Sequence, residues 1–234
     1  MSDDLTGRRV LVVGAGGGIG GAAAALFARA GARVVAAGRP GPKLDAAAAG
    51  GEAAALDFLD AAGVERFFAG REPFDHVVVA AAATKSGSVA ALPLDAARAS
   101  MDGKFWGAYH VARAAKVVDG GSITVVSGFL SRRPSAGAVL QGAINAALEA
   151  LARGLALERA PVRVNAVSPG LIDTPLWGGM PEADRAAMFA RTAERLPARR
   201  VGRPEDIARA IVFVATNPFV TGTTVTVDGG GTIA

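Results

Sequence analysis

The stretch Val13-Gly14-Ala15-Gly16-Gly17-Gly18-Ile19-Gly20 decides how the rest of the chain is read. It follows an apolar run, residues 10–13, and leads into an alanine-rich segment, 20–30, closed by Gly31. A short apolar run bounded by glycine reads as a buried strand, and a longer alanine-rich segment reads as a helix. Glycines at such a junction let the backbone turn tightly and approach a pyrophosphate. The helix that follows adds N–H donors and the positive end of its dipole. A glycine pattern alone is weak evidence. Between a strand and a helix it points to a dinucleotide cradle formed by Gly14, Gly16, Gly17, Gly18, Ile19 and Gly20.

The same alternation continues outward. Residues 33–37, 76–79, 123–126, 162–167 and 223–227 are further short apolar runs, partly β-branched and bounded by Gly, Pro or Ser. Residues 95–118, 135–158 and 204–216 read as helices, with Pro204 where a first helical turn tolerates proline. Near-continuous apolar strands alternating with helices imply an α/β fold: a single-domain, doubly wound parallel sheet with helices on both faces, spanning residues 1–234. The segment from Pro175 to Pro197 is interrupted by Gly178, Gly179, Met180 and Pro181 and lies between the last two strands, where a lid over a ligand crevice belongs.

Composition narrows the chemistry. Hydrophobic residues make up 51% and charged residues 20%, enough for a filled core. No run of apolar residues is long enough for a membrane span, and the polar N-terminus does not read as a signal peptide. Cysteine is absent, which removes disulfides and thiolate catalysis and fits a cytoplasmic protein. His76 and His110 share no metal-ligand spacing, so no metal site is expected. The net charge is +4, with arginines scattered rather than striped among aromatics, so a nucleic-acid face is not expected either.

The spacing Gly14-x-x-x-Gly18-x-Gly20 resembles the fingerprint of the short-chain dehydrogenase/reductase family, whose fold is a Rossmann fold. Arg163-Val164-Asn165-Ala166-Val167-Ser168-Pro169-Gly170 with Thr174-Pro175 is similar to that family's strand-six motif. Gly202-Arg203-Pro204-Glu205-Asp206, Val220-Thr221-Gly222 and Val227-Asp228-Gly229-Gly230 are similar to its C-terminal signature. The resemblance covers nearly the whole chain, in order. It implies a nicotinamide dinucleotide partner, with Pro169, Gly170, Ile172 and Thr174 against the nicotinamide end. It also implies a homo-oligomer, a tetramer or dimer. The small residues Ala143, Ala146, Ala147, Ala150 and Gly154 would let helices approach closely between subunits, unless the same alanines are buried within one subunit.

At the end of the second strand the chain reads Ala37-Gly38-Arg39-Pro40. A carboxylate there would bond the ribose 2′-OH and repel a 2′-phosphate. Gly38 removes that barrier and Arg39 offers a phosphate partner, which favours NADP(H) over NAD(H). Arg39 stacked on adenine or turned to solvent is the alternative. Asp57 resembles the family residue that bonds the adenine amino group; it also reads as a helix N-cap.

The resemblance implies four catalytic groups: a serine that polarises the carbonyl, a tyrosine that transfers the proton, a lysine that lowers the tyrosine's pKa, and an asparagine on the preceding helix. Aligned from their flanks, these places hold Gly128, Gln141, Asn145 and Ser100. Gln141 has an amide that hydrogen-bonds without transferring a proton, and Asn145 carries no charge though it could still bond ribose. Tyr109 precedes strand five and is half a turn out of phase with Ser100, so it should face away. Ser127 could supply a hydroxyl if the strand end shifts. Lys104, one turn after Ser100, either enters the space left by the missing lysine, or snorkels to solvent or pairs with Asp102 or a helix carboxylate.

Two functions fit these residues: an NADP(H)-dependent oxidoreductase with altered groups, or a non-enzymatic sensor of NADP(H) or a small ligand. A structural subunit of a mixed oligomer is a third reading. The substrate is a small molecule of unspecified class. Trp177, Met180, Met188 and Phe189 suggest an apolar pocket in the lid, and Arg132 and Arg133 could meet an acidic ligand.

Overall fold

A computed structural model describes residues 4–48 and 50–234. Strand β1 (Arg9–Val13) leads into α1 (Gly18–Arg29), followed by β2 (Arg33–Gly38), α2 (Pro42–Ala48), β3 (Glu52–Ala55), α3 (Ala61–Ala69) and β4 (Phe74–Val79). Then come α4 (Leu94–Met101), a wider π-helical turn (Asp102–Trp106), α5 (Gly107–Ala114) and β5 (Val117–Val126). The chain ends with α6 (Val139–Glu158), β6 (Arg163–Pro169), α7 (Glu182–Arg195), α8 (Pro204–Thr216) and β7 (Thr224–Val227).

The seven strands form one parallel sheet in the order β3-β2-β1-β4-β5-β6-β7. Side chains alternate across it, so each strand feeds two cores. Leu11, Val77, Ile123 and Val164 pack with Phe68, Val111 and Leu148 under α3, α5 and α6. Val10, Val12, Val34 and Val78 pack with Phe27 and Ile211 under α1 and α8. The expected single-domain, doubly wound sheet is therefore what the chain forms.

Helices α2 and α3 lie outside the segments marked from sequence, β3 has no residue bounds from sequence, and α7 forms within the 175–197 segment. Strand β3 has only Ala54 buried, so it carries no apolar run to read. The segment 95–118, expected as one helix, is three: a widened turn separates α4 from α5, and β5 already begins at Val117.

Strand order reverses between β2-β1 and β4, so a crevice opens at the carboxyl ends of β1 and β4. In open α/β sheets ligands bind at such a switch point. The far side of β6 is fixed by Arg163, whose buried guanidinium donates to Val214 O at 2.8 Å, to Ala215 O and to Val220 O at 3.3 Å. That places a cation on the carbonyl end of α8, where the helix dipole favours it.

Candidate active site

The glycine run closes on itself. Gly14 has φ +87°, accepts Gly17 N–H at 3.0 Å and donates to Ala37 O at 2.8 Å. A Cβ on Gly14 would stand 2.5 Å from Ala81 N, and one on Gly20 would stand 2.2 Å from Gly14 O. Neither glycine admits a side chain, because backbone packs directly on backbone. The first turn of α1 carries no acidic residue, so the N–H end of that helix is electrostatically unopposed. Beside it lies a hollow of about 410 Å³ lined by Gly16, Gly17, Gly18, Lys43 and Pro175.

The strand-six motif meets this loop. A Cβ on Gly18 would stand 2.9 Å from Thr174 Cγ2 and 3.1 Å from Pro175 Cδ. Gly170 packs on Asp228, and Ile172 is buried and paired to Gly202. Pro169, Gly170, Ile172 and Thr174 therefore run along one wall of the crevice. Gly38 ends β2 facing Gly14, and Arg39 after it is exposed. Asp57 is exposed, and its Oδ1 accepts Leu59 N–H at 3.0 Å. It does not cap a helix, as the sequence allowed: α3 begins four residues later, with Asp60 at its N-cap. Lys43 went unremarked in the sequence. The signal was there, four residues beyond Arg39 at the start of α2.

The reaction corner departs from expectation in three places. Ser100 is buried, with its hydroxyl donating to Ala96 O at 2.8 Å and accepting Lys85 N–H at 3.0 Å. It meets none of the other aligned side chains directly, though Lys85, whose N–H it holds, carries the carbonyl to which Gln141 donates. Lys104 meets one instead: Nζ donates to Asn145 Oδ1 and to Ser127 O, each at 2.7 Å. Snorkelling to solvent, or a pair with Asp102, is therefore not what the structure shows. The widened turn from Asp102 carries Lys104 inward. Gly103 makes this possible, since its carbonyl accepts Ala83 N–H at 2.8 Å and a Cβ there would stand 2.2 Å from Ala83 O. Inserted π turns of this kind recur at functional sites.

Ser127 is turned inward, against the idea that its hydroxyl faces a substrate. Its Oγ donates to Glu149 Oε1 at 3.0 Å, and Ser131 Oγ donates to the same oxygen at 2.6 Å. Glu149 and Ser127 are both buried. Burial pushes the Lys104 ammonium down to about 8, against the pull of the Glu149 carboxylate. Gly128 stands beside Asn145: a Cβ there would lie 2.8 Å from Asn145 Nδ2. Gln141 Nε2 donates to Lys85 O and, at 3.0 Å, to Ser86 Oγ, while its buried Oε1 has no partner among the described residues. Tyr109 is partly exposed and packs on Trp106 and Phe105, away from this corner.

A second cavity, of about 340 Å³, lies between the Phe129–Ser135 loop, Gly170 and Leu171, Met188 and Thr192 of α7, and Asp228. Arg133 lines it and donates to Gly231 O; Arg132 does not line it. Of the lid residues named from sequence, only Met188 faces the cavity. Trp177 and Phe189 pack edge to face, 6.5 Å between centroids, and Trp177 Nε1 donates to Ile172 O at 2.9 Å.

A family model described as enoyl-(acyl carrier protein) reductase matches residues 14–232. The 2-keto-3-deoxy-L-fuconate dehydrogenase of Xanthomonas campestris pv. campestris is 33% identical, over 97% of this chain and 80% of its own. A small-chain dehydrogenase in complex with NADPH superimposes with a TM-score of 0.87 at 36% identity, covering 97% of this chain and 99% of that one. The NADPH-bound short-chain oxidoreductase of Pseudomonas aeruginosa PAO1, which contains an atypical catalytic center, gives 0.89 at 30% identity and 97% of both chains. This chain belongs to the short-chain dehydrogenase/reductase family of oxidoreductases. No helix among the described residues is long and apolar enough to cross a membrane.

Proposed function

We propose that this protein is an NADP(H)-dependent oxidoreductase whose proton-handling group is not the family's tyrosine. The observation that carries the cofactor reading is the cradle: Gly14 and Gly20 leave the space that a Cβ would fill, at an unopposed helix N-terminus. Gly14, Gly16, Gly17, Gly18, Ile19 and Gly20 would hold the pyrophosphate. Asp57 would bond the adenine amino group. Asn145, Pro169, Gly170, Ile172 and Thr174 would flank the nicotinamide ribose and ring. Gly38 sets no carboxylate against a 2′-phosphate, Lys43 lines the hollow, and the exposed Arg39 next to Gly38 would supply a second cation to the phosphate. NADPH bound to two solved relatives supports the same preference. When bound, the cofactor supplies hydride; the chain's residues orient it, exclude water and manage the proton.

Gln141, whose amide nitrogen is tied to the Lys85–Ser86 backbone and hydroxyl, can accept a hydrogen bond in the crevice and donate no proton. That is also what a non-enzymatic sensor would show, so turnover separates the two readings. Segment 175–197 acts as the lid over the 340 Å³ cavity, with α7 as its cover. Ala143, Ala146, Ala150 and Gly154 are exposed on one face of α6, which supports pairing of that helix with a second copy.

The cofactor test is a titration of NADPH and NADH against the parent protein and Arg39→Ala. The parent should prefer NADPH by about tenfold or more, and Arg39→Ala should lose most of that preference without changing NADH affinity. Equal affinities in the parent would remove the NADP(H) assignment.

A further inference from the structure

The charge that the aligned sequence lacks on α6 is present in the corner, on another helix. Asn145 stands where the resemblance implies a lysine, and the side chain that meets it from the π turn is a lysine. The two residue types have changed places across the crevice, and their neighbours fit the exchange. Asn145 offers Lys104 an amide oxygen, where a lysine at 145 would offer a second ammonium. Its Nδ2 then lies in the space that a side chain at 128 would need, and residue 128 is glycine. Gly103 lets the turn sit against Ala83 closely enough for Nζ to arrive. Glu149 on α6 supplies the countercharge, held by Ser127 and Ser131 hydroxyls from the end of β5 and the loop beyond. Lys104 and Glu149 are the titratable side chains of this cluster, and Glu149 Oε1 is taken up as acceptor by the two serine hydroxyls.

We propose that Lys104 is the catalytic proton donor of this site, acting on a carbonyl acceptor held beside Asn145 and Gly128; the proposal rests on the NADP(H)-dependent reading above. Two of the three Nζ protons are engaged by Ser127 O and Asn145 Oδ1, which fix the ammonium and leave the third for a substrate oxygen. As a reduced nicotinamide dinucleotide delivers hydride to the carbonyl carbon, the C=O π bond breaks. Its electron pair takes the third proton from Nζ, and an alcohol and a neutral amine remain. A proton from solvent then restores the ammonium. Gly128 gives no hydroxyl to the carbonyl, and an ammonium at this place both polarises it and protonates it. An amine held near neutrality suits a general acid, because its protonated form is abundant and its proton leaves readily.

Two measurements test this. NADPH binding and oxidation are followed with a panel of aromatic aldehydes, 4-nitrobenzaldehyde among them, for the parent and Lys104→Met. The parent should bind NADPH and reduce at least one aldehyde, with a rate that falls as pH rises through about 8. Lys104→Met should bind NADPH within about threefold of the parent and lose about 10²–10⁴-fold in kcat, with the pH-dependent limb gone. A parent that binds no NADPH overturns the cofactor reading itself. A parent that binds NADPH but reduces no aldehyde, or a Lys104→Met variant with unchanged kcat, overturns the role of Lys104 alone.

The second measurement needs no turnover and no variant that must stay active. The chain has four lysines, Lys43, Lys85, Lys104 and Lys116, so protein labelled with [ε-¹³C]lysine gives four resolvable signals. One should titrate near 8 and shift when NADP⁺ is added, and it should be the signal missing from Lys104→Met. Four signals titrating together, none responding to NADP⁺ at position 104, would show that this ammonium is not part of the reaction corner.

Discussion

The two ends of the crevice are built on different principles. The cradle at Gly14–Gly20 is backbone on backbone: Gly17 N–H on Gly14 O, and Gly14 against Ala81, with Gly20 against Gly14 O. Its chemistry comes from N–H groups and a helix dipole, which any sequence with glycine at those places would present. The reaction corner is side chain on side chain: Lys104 on Asn145, Asn145 against Gly128, Ser127 and Ser131 on Glu149. There the identity of each residue fixes what its neighbours must be. The first kind of site tolerates almost no substitution at its glycines and is recognisable from spacing. The second can exchange members as a set and is recognisable only when the set is seen together.

The largest expected effect strikes the cradle. Gly20→Ala places a methyl group where only 2.2 Å separates it from Gly14 O, so the loop must open. Such overpacking costs about 3 kcal/mol or more, which as cofactor affinity is over a hundredfold. Calorimetric titration with NADPH, alongside thermal unfolding, reads it. Affinity within threefold of the parent would mean the loop is softer than its backbone contacts imply.

A smaller effect tests the interlock in the corner. Gly128→Ser brings its Cβ to 2.8 Å from Asn145 Nδ2 and should cost about 1–3 kcal/mol. Adding Asn145→Ala should return most of that loss, because the colliding amide is gone. The family-like triple, Gly128→Ser with Gln141→Tyr and Asn145→Lys, should remain destabilised because it sets a second ammonium against Lys104, and Lys104→Asn should relieve it. A double-mutant cycle on unfolding free energies measures the coupling. Additive effects at 128 and 145 would show that the two positions do not constrain each other.

The smallest expected change marks the edge of the corner. Ser100→Ala removes one hydroxyl bonded to Ala96 O and Lys85 N–H, both outside the Lys104 cluster. Stability should fall by about 1 kcal/mol. NADPH affinity and turnover should stay within about twofold, as expected for a residue that makes no ground-state or transition-state contact. A large loss of turnover here would draw Ser100 back into the reacting set.

Much of this was legible without coordinates. The alternation of strands and helices, the parallel sheet and the glycine loop followed from where glycine falls between apolar runs and alanine-rich segments. Helix α8 has the bounds expected of residues 204–216, because Pro204 starts it and its apolar face is unambiguous. What stayed hidden had no local signal. Strand β3 is an alanine run whose pairing with β2 is made by its neighbour rather than by its own side chains. Asp57 and Asp60 compete for one cap, and sequence does not say where α3 starts.

The sequence by itself determined the fold, the family and the cradle, because those depend on periodicity and on the absence of a Cβ, both properties of single positions. It also determined that no tyrosine stands at residue 141. Tertiary structure alone decided where the charge lies. One turn separates Ser100 from Lys104, and regular α-helical spacing puts both on one face. The choice between them is made by a widened turn, held open where Gly103 meets Ala83, that no residue pattern in the helix announces. A side chain's direction depends on the helix register that its packing partners impose, and those partners come from the segments just after β4 and β5 and from α6, distant in the chain.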